Sequence, residues 1–134
     1  MSIHEPALVH VRVKDAMHTG ILTTDTTTPL RLVARLMAEH HVHAVAVAEP
    51  DHVRRPWGIV TALDVAAAAS SGVEETAGEA ASSEVLTVSA ADALDHAASM
   101  MVEHRVSHLI VVDPASGHPC GILSTLDVAA AYGG

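Results

Sequence analysis

Two short stretches carry residues able to do chemistry, and they carry them in the same spacing. Gly58-Ile59-Val60-Thr61-Ala62-Leu63-Asp64 and Gly121-Ile122-Leu123-Ser124-Thr125-Leu126-Asp127 each run from an apolar segment through a hydroxyl to an acid three residues on. Each reads as a short strand, a turn and the first turn of a helix. A carboxylate placed there can accept hydrogen bonds from two adjacent hydroxyls, a charge-assisted arrangement. A helix N-terminus beside it offers unpaired N–H groups and a positive dipole end, which suit a phosphate. The same [ST]-x-x-[DE] spacing also forms a helix capping box, and one Ser or Thr can serve both purposes. Asp64 and Asp127 have no nucleophile or basic partner beside them, so no acid–base catalysis is expected. His40, His41 and His43 cluster, but without a cysteine companion or an H-E-x-x-H pattern. They fall at a helix end, where histidine also suits the dipole, and no metal site is expected.

The elements that must position these residues occur twice. Leu22-Thr23 aligns with Leu86-Thr87, and Leu30, Ala34 and Met37 with Leu94, Ala98 and Met101. Glu39-His40 aligns with Glu103-His104, Val42 with Val106, and Val47 with Val111. In the first copy, Val13–Met17 reads as a helical turn and Ile21–Thr23 as a brief strand. Thr28-Pro29 reads as an N-cap and first helical residue, with Leu30, Val33, Ala34 and Met37 as one apolar stripe. The helix is expected to end near His40-His41. Val42–Ala48 is short, apolar and β-branched, as in a buried strand. Trp57–Val60 is the next strand, and Thr61 opens a helix to about Ala69. The second copy predicts a turn at Thr76–Ala81, a strand over Val85–Val88 and a helix over Asp92–His104, with Asp92 as N-cap. Strands over Ser107–Val112 and Cys120–Leu123 follow, then a helix over Leu126–Ala131. Each half is therefore β-α-β-β-α. The fold expected is α/β (α+β), two tandem repeats packed about a pseudo-twofold axis, because neither half buries both faces of its sheet alone. The boundaries are 1–69 for the first repeat (with a lead over 1–12), 70–76 for the linker and 77–134 for the second.

Composition narrows the function. The 134 residues suffice for a modest core, and 49% of them are hydrophobic. Only 1% are aromatic, so that core is aliphatic, with Met37 and Met101 as packing residues. Base-stacking surfaces need aromatics, and a net charge of −9 without a basic cluster disfavours duplexes and membrane surfaces. No nucleic-acid and no membrane partner is expected. The lone Cys120 forms no disulfide framework within one chain. No apolar run is of membrane-spanning length and the first residues do not read as a signal sequence, so a cytoplasmic location is expected.

In order, spacing and duplication the chain resembles a CBS-domain pair, or Bateman module, over about residues 13–69 and 77–131. The resemblance rests on Val13-Lys14-Asp15-Ala16-Met17, on the Thr-Thr-Pro-Leu helix start, on Ser107-His108-Leu109-Ile110-Val111-Val112-Asp113 and on the two G-x-x-[ST]-x-x-D motifs. It implies a regulatory sensor with no catalysis of its own, holding AMP, ADP, ATP or a related adenosyl compound between the repeats as a regulatory ligand rather than a cofactor. The motif Asp receives the ribose hydroxyls and the Ser or Thr meets phosphate. Carried over, a first site takes Ser124, Leu126, Asp127, Ser107 and His108, facing Met17, Leu22, Val42, His43 and Ala44. A second takes Thr61, Leu63, Asp64 and His43, facing Ala81, Leu86, Val106 and Ser107. The first is preferred, because His108 stands where the family often places a cation, whereas Ala44 matches it in the other copy and Ala81 replaces Met17. His at 108, rather than Arg or Lys, weakens the case for tight polyphosphate binding. The resemblance further implies a flat homodimer and a downstream protein target. The alternative is a structural dimerisation module with vestigial clefts.

Overall fold

The computed structural model describes residues 7–51, 58–81 and 85–134. The start of the strand expected at Trp57, the part of the lead over residues 1–6 and the part of the connection over residues 82–84 lie outside them. The chain divides into two compact units, and the division does not follow the linear order of the repeats. One unit holds the described residues up to Gly20 together with Leu86–Gly134; the other is Ile21–Val85.

The continuous unit contains β2 (Thr23–Asp25), α2 (Leu30–His40), β3 (Ala44–Ala48), β4 (Gly58–Thr61), α3 (Ala62–Ser71) and α4 (Ala77–Ala80). Its sheet has the order β2-β3-β4, with β2 parallel and β4 antiparallel to the central strand. All five residues of β3 are buried. Val45 and Val47 pack with Leu30, Val33, Met37, Val60 and Ala77, while alternation sends Ala44, Ala46 and Ala48 to the opposite face.

The discontinuous unit contains α1 (Val13–Ala16), β1 (His18–Thr19), β5 (Thr87–Ser89), α5 (Leu94–His104), β6 (His108–Val112), β7 (Pro119–Ser124) and α6 (Thr125–Gly133). Its sheet has the order β1-β7-β6-β5, and β1 runs antiparallel to β7. Leu109, Val111 and Leu123 pack with Val13, Val88, Leu94, Ala97 and Met101.

Two expected N-caps are corrected. Thr28 and Asp92 do not cap their helices; Pro29 and Ala93 hold the N-cap positions, without a side-chain cap bond. The first helical N–H groups find backbone partners instead: Leu30 donates to the Glu75 carbonyl (2.9 Å) and Leu94 to that of Val11. Asp25 takes the Thr28 hydroxyl at 3.1 Å, together with the Thr27 N–H and hydroxyl. The strand expected over Ile21–Thr23 begins later, at Thr23, and β1 was not foreseen.

The two units use the same bonds in mirror-image connectivity. Val13 N–H donates to Asp92 and Lys14 N–H to Ala90; Ala77 N–H donates to Thr28 and Gly78 N–H to Thr26. Each short turn thus docks on the long helix of the other sequence repeat. Side-chain size is matched across that contact. A Cβ on Gly78 would lie 2.8 Å from the Thr26 Cβ, whereas the corresponding Lys14 faces the smaller Ala90.

Candidate functional site

Each motif folds locally for the same reason. The strand β4 or β7 ends at a hydroxyl residue with extended backbone, and a helix starts at the next residue. Thr61 N–H donates to Asp64 Oδ2 at 2.7 Å, the Asp64 N–H donates back to Thr61 Oγ1 at 3.3 Å, and the Thr61 hydroxyl also meets Oδ2 at 3.0 Å. Ser124 N–H donates to Asp127 Oδ2 at 2.8 Å, and the Asp127 N–H donates to Ser124 Oγ at 3.2 Å. Both motifs are therefore full capping boxes, which fix each carboxylate over its helix N-terminus. The segment before each central strand is tied to the same turn: Ala62 N–H donates to the His43 carbonyl and Thr125 N–H to that of Ser107. The sheet register sets Ala44 opposite Thr61 and His108 opposite Ser124.

The discontinuous unit accordingly gathers Ser107, His108, Ser124 and Asp127. Ser107 Oγ lies 2.8 Å from His108 Nδ1. Leu126 beside them is 66% exposed. Met17, Leu86 and Val106 belong to this unit and pack against its core. The continuous unit gathers His43, Ala44, Thr61 and Asp64, with Leu63 79% exposed. There Leu22, Val42 and Ala81 pack against the core. An open cavity of about 420 Å³ between α2 and α3 is lined in part by Val42, His43, Ala62 and Val65, but not by Thr61 or Asp64.

Sequence reasoning passed over His18. Its Nδ1 lies 3.2 Å from Asp127 Oδ1 and 3.3 Å from Oδ2. A carboxylate only accepts, so the tautomer that makes this bond is the one with the proton on Nδ1. The signal that would have found it is Gly121, opposite Thr19 in the sheet. A Cβ at Gly121 would stand 2.5 Å from the His18 carbonyl oxygen and 2.9 Å from Met17 Sδ, so β1 needs a glycine there to reach β7. Among the described residues, no group of three or more His, Cys, Asp or Glu is gathered as for a metal ion, and no helix is long and apolar enough to cross a membrane.

The family model for the CBS domain matches this chain twice, over residues 13–71 and 77–134. The chain is a tandem CBS-domain protein. Among solved structures, the CBS domain pair of protein MJ0100, in complex with 5′-methylthioadenosine and S-adenosyl-L-methionine, matches with a TM-score of 0.80 at 23% identity, over 92% of this chain and 96% of that one. The CBS domain protein PAE2072 from Pyrobaculum aerophilum, complexed with AMP, matches with a TM-score of 0.77 at 26% identity, over 87% and 89%. A homoserine O-acetyltransferase of Methanosphaerula palustris is 33% identical over 118 residues, which are 88% of this chain and 23% of that protein. The CBS pair thus spans less than a quarter of the length of the curated relatives it matches.

Proposed function

We propose that this CBS pair is a regulatory module that binds an adenosine-containing ligand of the AMP, ADP or ATP type and does no catalysis of its own. The observation that carries the reading is the duplicated carboxylate at a helix N-terminus, Asp64 and Asp127, each fixed beside a hydroxyl. The AMP complex of the Pyrobaculum relative supports the ligand class. Asp64 and Asp127 take the ribose hydroxyls, and Thr61 and Ser124, with the helix N–H groups, take phosphate. Among the described residues only Oδ2 of Asp64 is hydrogen-bonded, which leaves Oδ1 for a diol. Regulation follows if the ligand prefers one arrangement of the protein over another, whether within a homodimer or on a downstream protein. A cytoplasmic location is part of the proposal.

Calorimetry against AMP, ADP, ATP, NAD(H) and S-adenosylmethionine tests it. Binding of at least one ligand is expected, and Asp64→Asn or Asp127→Asn is expected to weaken it by about tenfold, the scale of a hydrogen bond to a charged group. No binding tighter than about millimolar to any of them would sink the reading. Unchanged affinity with a lowered Tm in Asp64→Ala and Asp127→Ala would leave the motifs as caps alone. Native mass spectrometry of freshly purified protein reads the oligomeric state and any retained nucleotide.

A further inference from the structure

Asp127 is a buried carboxylate, 8% exposed, whose partner His18 is 76% exposed. That pairing is imposed by backbone. β1 is hydrogen-bonded along β7, with His18 opposite Ile122, and Gly121 leaves room for the close approach. Nδ1 therefore lies 3.2 and 3.3 Å from the two oxygens of the carboxylate, the acceptors that two ligand hydroxyls would share. Ser124 N–H also donates to Oδ2, at 2.8 Å. The sequence position that matches His18 in the other repeat is Ser82, which carries no imidazole.

We propose that His18 is a built-in competitor for the Asp127 carboxylate, displaced when a vicinal diol binds there. This rests on the reading that the motif aspartates accept ribose hydroxyls. The imidazole is solvent-exposed, so its release costs little packing, and its contact with Asp127 is subtracted from the affinity of any diol that replaces it. His18 thus sets the affinity of one motif and not the other. The two carboxylates become unequal acceptors although their capping geometry is nearly the same.

AMP calorimetry on the wild-type chain, His18→Ala, Asp127→Asn and the double variant tests this. His18→Ala is expected to tighten, by about fivefold, the binding step that Asp127→Asn removes, the scale of one hydrogen bond. The double variant is expected to show no such gain. An Asp127-dependent step left unchanged or weakened by His18→Ala, in a chain that still binds AMP, overturns the competitor role and leaves the ligand reading standing. No binding of AMP to either the wild type or His18→Ala overturns the ligand reading and the competitor with it. A second measurement needs no variant. The ¹⁵N resonance of His18 Nδ1 is expected to move when AMP saturates the wild-type protein, and a resonance that stays in place at saturation overturns the proposal.

Discussion

Asp64 and Asp127 each hold a capping box and, in the function proposed above, a ligand's hydroxyls as well. As members of capping boxes they accept the N–H of the N-cap residue, Thr61 or Ser124, which fixes the orientation that the proposed ligand contact relies on. Environment decides the chemistry of other single residues as well. The Cys120 thiol is pushed up from the usual range by burial, with the negative charge of Asp113 adding to it. A raised thiol keeps its neutral form at pH 7, and the thiolate is the nucleophile. Alkylation of the native protein by iodoacetamide is therefore expected to be slower than that of free cysteine at neutral pH, and to accelerate only at higher pH. Folding linkage has the same sign: Cys120 costs no stability below the thiol's unfolded pKa and costs some as pH rises through its folded value. An alkylation rate at pH 7 equal to that of the urea-unfolded chain would contradict this.

At the scale of elements, α2 and α5 end alike, on His41 and Arg105 in the left-handed region at φ 53° and 54°. Side chains with a Cβ pay a steric cost there that glycine does not. Arg105→Gly is expected to stabilise the protein by about 0.5–1 kcal/mol, net of glycine's greater unfolded-state entropy. A chemical-denaturation midpoint at or below the wild-type value would refute it. The other ends of these helices explain what the sequence concealed. The starts of α3 and α6 were legible because Thr61 and Ser124 cap through residues only three positions away. The starts of α2 and α5 were misjudged because their first N–H groups bond Glu75 and Val11, partners set by tertiary structure. Strands β3 and β6 were legible as apolar runs. The two-residue β1 has no pattern of its own and exists because Gly121 admits it. The capping role of Asp64 and Asp127 was likewise readable, whereas the His18 contact needed the sheet register to reveal it.

The whole molecule is organised by exchange. The family match divides the chain at residues 71 and 77, yet the compact units divide it after Gly20 and Val85. The turn at Ala77–Ala80 completes the core of the first repeat, and the turn at Val13–Ala16 completes that of the second. A fragment covering Ile21–Val85 is therefore expected to unfold cooperatively, as some domains of about 60 residues do. A fragment covering residues 77–134, which lacks Val13 and β1, is expected to show no cooperative transition until a peptide of residues 7–20 is added. Circular dichroism against urea checks both, and a 77–134 fragment that unfolds cooperatively alone would refute the expectation.

The pairing of β1 with β7 also has a temporal side. The peptide that will flank Gly121 is made before Ile21–Val85, and its strand partner after it. During synthesis Ile21–Val85 can close on itself while the residues before it wait, uncommitted, for β7. Contacts between residues so distant in sequence are slow to form. The His18–Asp127 contact thus needs both separated segments in place, and its presence reports that the discontinuous unit has closed.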